Sequence, residues 1–194
     1  MTDAPMARTA RYDVLVTGSP GPRCSSTCSL VRDDEVRIVI DPGLAPSQAA
    51  ILDPLRALGV SADAVTDVVL SHHHPDHALN TALFPAARVH DHWAIYDFAG
   101  RWDDVDAEGR VLAPSVALLR TPGHSAEDIS TAVGTADGIV VFTHLWWHAN
   151  GPAEDPYAPD VAVLHASRAR VLDLADVIVP GHGPPFRPDA STPR

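Results

Sequence analysis

A short run of side chains in the first half of the sequence has the composition and spacing of a metal site. Residues 71–77 read SHHHPDH. Imidazole nitrogen is the commonest protein ligand for metals, and carboxylate oxygen is a harder ligand for dications. In an extended segment the side chains at i and i+2 point the same way, so His72 and His74 can bind one ion while His73 turns away. Asp76 and the final histidine follow a proline, where the chain must change direction, and can bind a second ion nearby.

The position of this run argues against the plainest alternative, a solvated polyhistidine stretch like an affinity tag. Tags stand at chain termini, whereas this run lies in the interior of the sequence. The apolar residues Val68-Val69-Leu70 before it predict a short buried strand. A short helix is predicted after it, over residues 76–83. The histidines are therefore predicted to lie between two regular elements that fix their place in the fold.

The pattern H-x-H-x-D-H, filled by His72, His74, Asp76 and His77, resembles the signature of the metallo-β-lactamase superfamily. Further motifs follow in that family's order: Asp41-Pro42-Gly43 at a strand end, Thr121-Pro122-Gly123-His124, a strand that runs into Thr143-His144, and Pro180-Gly181-His182-Gly183-Pro184. The motifs span residues 41–184, so the resemblance covers most of the chain. The closing stretch VIVPGHGPPF, together with TPGH, most resembles the branch that contains metallo-β-lactamase domain-containing protein one.

The resemblance implies a site for two metal ions. One ion would be held by His72, His74 and His124, and the other by Asp76, His77 and His182. Zinc is the implied metal, as one or two ions, with iron or manganese as alternatives. Asp76 and His182 are the expected catalytic residues, and Asp76 would also orient the attacking water. In the family the aspartate at position 41 lies behind the metals and orients the ligand loop, although a plain turn is the alternative here.

The sequence departs from the family pattern at His144. The corresponding strand usually ends in Gly-Asp, and that aspartate bridges both metals, whereas this strand ends in Thr143-His144. A neutral imidazole has one free lone pair, so it can bind one metal and cannot bridge two. We expect His144 to be a ligand and the second ion to bind more weakly than the first. The alternative is that His144 turns toward solvent or Trp146.

The chemistry that follows is hydrolysis by a metal-activated water, because a bound dication lowers the pKa of water to near 7. The expected substrate is a small molecule with an acyl group: a lactone, ester, thioester or amide. An iron-dependent redox enzyme or oxygenase on the same fold is the first alternative. A hydrolase of RNA or other phosphodiesters, suggested by the narrower branch, is the second. A non-catalytic binding module ranks last, because nearly all the ligand positions are intact.

Composition limits the partners. The chain has 194 residues, a formal net charge of −11 and a pI near 5.3, so general nucleic-acid binding is not expected unless Arg88, Arg101 and Arg110 cluster beside the site. No apolar run approaches the ~20 residues of a membrane span, and the start lacks the apolar core of a signal peptide. A cytoplasmic location without membrane association is predicted. The C-x3-C spacing of Cys24 and Cys28 could indicate a disulfide or half a metal site, but no second cysteine pair completes one, so they are interpreted as two free thiols.

Strand and helix patterns predict one domain with alternating elements in two halves. Strands are expected over 12–17, 26–31, 37–40, 68–70, 88–90, 116–119, 129–133, 139–142 and 177–179, and helices over 46–58, 76–83 and 160–174. Residues 1–10 are expected to be a loose leader. This order matches the α/β, four-layer αββα sandwich of the resembled family, with metals at one edge of the sheets.

Residues 91–110 are predicted to be irregular and carry Trp93, Tyr96, Phe98 and Trp102. Such a segment either roofs the active site or forms a small satellite core, and the sequence leaves both open. The substrate pocket is expected to come from this segment, from residues 146–159, or from a neighbouring subunit in a homodimer.

Overall fold

Two β-sheets pack face to face at the centre of the computed structural model, which describes residues 6–194. The first sheet has seven strands in sequence order: β1 (Arg11–Val16), β2 (Cys28–Asp33), β3 (Val36–Ile40), β4 (Asp67–Val69), β5 (Arg88–His90), β6 (Ala94–Asp97) and β7 (Trp102–Asp104). The second has five, in the order β12 (Val177–Pro180), β11 (Gly138–Thr143), β10 (Ile129–Thr135), β9 (Val116–Arg120) and β8 (Val111–Ala113). Both sheets are mixed, because β3, β4 and β5 are parallel neighbours and β11 and β12 form another parallel pair.

Helices cover the outer faces of the sheets. α1 (Ala49–Ala57) buries Ile51 and Leu55, one turn apart, against apolar side chains of the seven-stranded sheet. α3 (Val161–Leu172) buries Leu164 and Val171 against the five-stranded sheet. A third apolar cluster fills the space between the sheets. The layers therefore run helix, sheet, sheet, helix, which confirms the predicted αββα sandwich.

The parallel strand pairs explain why the ligand loops meet. Parallel neighbours end at the same edge of a sheet, so the loops that follow them lie side by side. Ile40 at the end of β3 pairs with Val69 at the end of β4, which brings Asp41 beside the histidine run. Thr143 of β11 pairs with Pro180 of β12, which brings the next residues, His144 and His182, together.

A buried guanidinium fixes the loop between β11 and α3. Arg168 has no exposed surface, and its Nε, Nη1 and Nη2 donate to Leu145 O, Ala153 O and Pro152 O at 3.0, 2.6 and 2.7 Å. The guanidinium also lies over the Trp146 ring, 5.4 Å from its centroid. The loop begins with His144, so this helix residue holds in place the segment that follows β11.

Arg168→Met is expected to lower the free energy of unfolding by about 3 kcal/mol or more. The change leaves buried carbonyl oxygens without donors, and each such group costs about 1–3 kcal/mol. Arg170→Met is the matched control on the same helix, since its ion pair with Glu108 is half exposed and should contribute less than about 1 kcal/mol. Urea denaturation of both variants measures the difference. Equal, small losses would show that Arg168 does not hold the loop.

The structure corrects several sequence expectations. The predicted helix over 76–83 is α2 (Pro75–Ala78) followed by a 3-10 turn at Thr81–Leu83. The segment 91–110 is not irregular, because it contains the antiparallel strands β6 and β7. For the leader over 1–10, residues 1–5 lie outside the described chain and residues 6–10 are not loose. Ala7 N and Ala10 N donate to Pro114 O and Gly134 O, each at 3.2 Å.

No helix among residues 6–194 is long and apolar enough to cross a membrane.

Candidate metal centre

Six histidines from both halves of the chain meet at one edge of the sheets. They follow β4, β9, β11 and β12, and they are His72, His74, His77, His124, His144 and His182. His72, His77, His124, His144 and His182 are buried, and His74 is exposed at the surface of the site. The structure therefore brings together the side chains that the sequence singled out, with Asp76 beside them.

The first group of donors surrounds His72. One ring nitrogen from each of His72, His124 and His144 lies within 4.8 Å of the others. His74 joins this group through His124, because its Nδ1 is 3.1 Å from His124 Nε2 and its ring centroid is 4.5 Å from that of His72. The three histidines expected at the first ion are thus adjacent, and His144 adds a nitrogen to them.

The second group surrounds His182. Nitrogens of His77, His144 and His182 lie within 4.8 Å of one another, and His144 Nε2 is 3.0 Å from His182 Nε2. Asp76 Oδ2 lies 3.4 Å from His77 Nε2 and 3.6 Å from His182 Nε2. His144 belongs to both groups and is buried, so it does not turn to solvent.

Hydrogen bonds behind the cluster leave the Nε2 atoms free to accept a metal. Three histidines donate an Nδ1 proton to an oxygen: His77 to Asp41 Oδ2 at 2.9 Å, His124 to Asp155 Oδ2 at 2.8 Å and His182 to Ser25 O at 2.9 Å. A carboxylate or carbonyl oxygen only accepts, so the proton sits on Nδ1 and the lone pair on Nε2. Metal-binding histidines characteristically have such an oxygen partner on the other ring nitrogen.

Unpartnered nitrogen atoms show that the donors fit a metal. Among residues 6–194, His72 Nε2, His77 Nε2 and His144 Nδ1 are buried and have no hydrogen-bond partner. A buried polar atom without a partner costs about 1–3 kcal/mol, so three in one cluster require a reason. Imidazole nitrogens with one carboxylate suit zinc or iron. The chemistry of the cluster therefore fits a transition-metal centre.

Asp41 connects β3 to the histidine run. Its Oδ1 accepts a hydrogen bond from Ser71 N at 2.7 Å while Oδ2 accepts from His77. Its backbone φ is 51°, in the left-handed region that residues other than glycine rarely adopt. This conformation aims the carboxylate at the start of the histidine run, so Asp41 lies behind the ligands as the resemblance implied.

Burial and mutual repulsion keep the central imidazoles neutral. Burial lowers the pKa of His72 and of His144 well below the usual range, and the neighbouring histidines lower both pKa values further. Burial acts to raise the pKa of Asp76, but His77, Cys24 and His182 outweigh it and lower that pKa. Neutral imidazoles beside an ionised carboxylate are the protonation states that metal binding requires.

A glycine in the last motif makes room for His144. A Cβ atom at Gly181 would lie 2.3 Å from His144 Cδ2 and 2.7 Å from its Nε2. Any side chain there would displace the imidazole, so Gly181 is required by close approach to a ligand.

Asp155 is a functional residue that the sequence did not single out. It is buried, and its Oδ2 accepts from His124 Nδ1 and, at 2.9 Å, from Trp147 Nε1. Burial acts to raise the pKa of Asp155, but the hydrogen bonds from His124, Tyr157 N and Trp147 outweigh it and lower the pKa. Asp155 lies in a Pro- and Gly-rich loop that contains no recognisable motif, so the local sequence does not indicate that this aspartate contacts a ligand.

Asp155→Ala is expected to weaken metal binding about 10–100-fold, the usual cost of losing a partner behind a ligand. The variant leaves His124 without the acceptor that fixes its ring. Competition with a chromophoric chelator measures the affinity. Asp160→Ala is a control from the same region, because Asp160 caps α3 and does not contact the cluster. Unchanged affinity in Asp155→Ala would contradict the role assigned to this carboxylate.

The remaining histidines lie outside the cluster. His73 Nδ1 is 3.0 Å from Glu127 Oε2 and its Nε2 is 3.2 Å from Asp91 Oδ2, so it points away as predicted. His90 is buried with Nε2 2.8 Å from Asp67 Oδ1, and His165 is exposed on α3. His148 Nδ1 accepts from Asn150 N at 3.3 Å.

An open cleft of about 640 Å³ lies over the cluster. Its walls are Pro20, Gly21, Cys24, Leu44, His74, Pro75, Asp76, His124, Trp147, Tyr157 and His182. No residue of the segment 91–110 lines it, so that segment does not roof the site. The segment is not a satellite core either, because Trp93, Phe98 and Trp102 are about half exposed. His148 does not line the cleft, whereas its neighbour Trp147 does.

The family model described as the metallo-beta-lactamase superfamily matches residues 21–184. The chain belongs to this superfamily. Metallo-beta-lactamase domain-containing protein 1 of Homo sapiens is 38% identical over 178 residues, which are 86% of this chain and 66% of the human protein. The Xenopus laevis protein of the same name is 35% identical over 161 residues, 77% of this chain and 67% of its own length. The chain thus spans about two thirds of the length of these relatives.

Several solved structures share the fold. A candidate metallo-β-lactamase from Thermotoga maritima has a TM-score of 0.74 at 24% identity, covering 93% of this chain and 100% of the other. AidC, described as a dizinc quorum-quenching lactonase, has a TM-score of 0.66 at 20% identity, covering 85% of this chain and 76% of its own. TTHA1623, solved in a di-iron-bound form, has a TM-score of 0.63 at 23% identity, and the match covers 89% of this chain and 94% of the other. At these identities the likeness is one of fold.

Proposed function

We propose that this superfamily member is a metal-dependent hydrolase of a small acyl substrate, such as a lactone, ester, thioester or amide. The observation that carries the proposal is the histidine cluster: three of its nitrogens are buried without partners, and four other members of the site, His74, Asp76, His124 and His182, line an open cleft. A cleft above such a cluster is where a substrate can reach bound metal.

His72, His74 and His124 would hold one zinc ion, and Asp76, His77 and His182 would hold the other. Metal held by these residues would supply Lewis-acid chemistry, which activates water for attack at neutral pH. Asp76 is partly exposed at the cleft while its Oδ2 faces His77 and His182. Its carboxylate can therefore accept a proton from a water molecule in the cleft and orient that water toward the carbonyl carbon.

The cleft wall favours a substrate without a strong negative charge. No lysine or arginine lines it. Trp147 and Tyr157 stack at 5.9 Å between ring centroids, and Tyr157 lies 5.4 Å from the His124 ring. Such an aromatic wall binds apolar or cationic groups. The lactonase fold relatives, among them AidC in complex with N-hexanoyl homoserine as product, support a lactone as the first substrate to test.

Arginine placement weighs against RNA as the substrate. Arg88 pairs with Asp67, Arg101 with Asp97, and Arg110 donates to backbone carbonyls of the β6 region. None of them lines the cleft, so the basic cluster that phosphodiester binding needs is missing from its walls. With a net charge of −11, we propose that the protein does not bind nucleic acid in general.

A substrate panel tests the proposal. Lactones of several acyl lengths, thioesters and β-lactams are assayed beside RNA and bis-p-nitrophenyl phosphate, with protein that is stripped and then reloaded with zinc. We expect zinc-dependent hydrolysis in the acyl set and none of RNA. Strong metal-dependent RNA cleavage without acyl hydrolysis would overturn the proposal.

An iron-dependent redox enzyme is the second candidate, favoured by the histidine-rich donor set and by the fold relative solved with two irons. Iron in protein purified without added metal, together with dioxygen consumption, would favour it. Zinc or manganese content without dioxygen consumption would exclude it.

A further inference from the structure

A thiol from the N-terminal part of the chain faces the second group of donors. Cys24 lies in the loop between β1 and β2 and forms part of the cleft wall. Its Sγ is 3.4 Å from Asp76 Oδ2 and 3.8 Å from His182 Nδ1. A donor atom from each of Cys24, Asp76 and His182 lies within 4.8 Å of the other two. Cys28, the other cysteine, is free and fully buried in the core.

The distance from Cys24 Sγ to Asp76 Oδ2 matches the edge of a tetrahedral metal site. His182 would face the ion with Nε2, because its Nδ1 donates to Ser25 O. With Zn–S near 2.3 Å and Zn–O or Zn–N about 2.0–2.2 Å, a sulfur lies about 3.5–3.6 Å from each neighbouring ligand atom. The Cys24 Sγ to Asp76 Oδ2 distance of 3.4 Å is close to that edge. Little movement is therefore needed for both atoms to bind one ion.

His77 gives independent support for a ligand at this point. It has no exposed surface, and its Nε2 has no hydrogen-bond partner in the part of the chain that the structure describes. That nitrogen lies 3.4 Å from the same Asp76 oxygen that Cys24 faces. Asp76 Oδ2 thus lies 3.4–3.6 Å from the sulfur of Cys24 and from the Nε2 atoms of His77 and His182, which is about the distance between two ligand atoms of a tetrahedral site.

Charge gives a reason for a thiolate here. The histidines are neutral donors, and His144 stands where the family has a bridging aspartate. Among the described residues of the cluster, Asp76 is then the one carboxylate on the side of the Nε2 donors, because Asp41 and Asp155 accept from Nδ1 atoms on the far side of the rings. A second dication close to the first is repelled strongly at low effective dielectric. A thiolate returns one negative charge to the second site, and its softness favours zinc over manganese or magnesium.

We propose that Cys24 is a ligand of the second metal ion, together with Asp76, His77 and His182. The inference rests on the metal centre of the proposed function and adds a ligand to it. On binding, the thiol proton is released to bulk water and a sulfur–metal bond forms, with no change of oxidation state. A coordinating thiol is deprotonated by the ion it binds, so the neutral thiol of the metal-free protein is the expected starting state.

Cobalt substitution tests the bond directly. Metal-free protein is titrated with Co²⁺ while near-ultraviolet absorption, where thiolate-to-cobalt charge transfer occurs, is recorded. We expect this band to grow with the second equivalent in wild type and in Cys28→Ala, and to be lost in Cys24→Ala. The second cobalt should also bind at least about tenfold more weakly in Cys24→Ala. Loss of a direct ligand should cost at least as much metal affinity as loss of a residue that hydrogen-bonds to a ligand.

Two further measurements keep the outcome decisive. Circular dichroism checks the fold, with Cys24→Ser as a second variant, and iodoacetamide labelling of wild type should be slower with metal than without it. Cobalt bound with no band, a band that follows Cys28, or equal labelling in both states would overturn the proposal. Each of these can occur while acyl hydrolysis persists, so the failure of Cys24 as a ligand is distinguishable from failure of the hydrolase assignment. Absence of any bound cobalt would overturn both.

Discussion

Asp76→Asn should reduce acyl hydrolysis by roughly 10²–10⁴-fold, the range that a positioned general base contributes. The carboxylate has two tasks in this account: it binds the second ion and it orients the water. Its Oδ2 lies 3.4 Å from His77 Nε2 and 3.4 Å from Cys24 Sγ. Asparagine keeps the shape and removes the negative charge, so the loss reports the charge and not the packing.

His73→Asn and Asp53→Asn are the matched controls for this variant. His73 stands within the same histidine run but contacts Glu127 and Asp91, and Asp53 is an exposed carboxylate on α1. Both should keep hydrolysis within a few-fold of wild type. Steady-state kinetics and metal content of all three proteins are compared. An Asp76→Asn protein that retains activity and two metals would show that this carboxylate is neither base nor ligand.

His144→Asp should tighten binding of the second metal ion and raise bound metal toward two per chain. His144 has nitrogens near both donor groups, but an imidazole cannot bridge two ions. Aspartate restores a bridging carboxylate and one negative charge. A unit negative charge 4 Å from a unit positive charge contributes about 4 kcal/mol at an effective dielectric of 20. A dication attracts the carboxylate more strongly, but the cost of desolvating the carboxylate offsets part of that gain, and each ~1.4 kcal/mol is tenfold in affinity. The expected gain is therefore between about tenfold and a thousandfold.

Calorimetric titration of metal into the metal-free proteins decides this prediction. Wild type should show a tight ion and a weaker one, with the weaker one lost first on dialysis against chelator. Gly181→Ala provides a second perturbation, because a methyl group there displaces the His144 ring without changing charge. Two equally tight ions in wild type, and no gain in His144→Asp, would show that the exchange at this position does not set metal affinity.

The layered fold could be predicted because the motifs resemble those of a known family and the apolar periods give strands and helices in that family's order. The H-x-H-x-D-H run, TPGH and PGHGP each follow an apolar strand, and strand ends on one edge bring their loops together. The strand order and the shortened helix after the run could not be predicted, since both depend on tertiary pairing. The strands β6 and β7 were missed because Gly100 and clustered aspartates interrupt the apolar alternation that indicates a strand.

The residues that support the ligands were harder to predict than the ligands themselves. Asp155 and Cys24 stand in loops, and only the folded chain brings them beside His124 and Asp76. Asp41 could be expected because its motif is part of the resemblance. The sequence thus identified the side chains that lie within motifs of the resembled family. The side chains that approach the ligands from loops without a motif were found only in the structure.

Anomalous diffraction at the metal absorption edge, from crystals of protein purified without added metal, is the most direct test of the central claim. We expect a strong peak bounded by His72, His74 and His124, and a weaker one bounded by Asp76, His77 and His182. A metal held without these side chains, or an ordered histidine cluster with no anomalous peak after zinc is added, would contradict it.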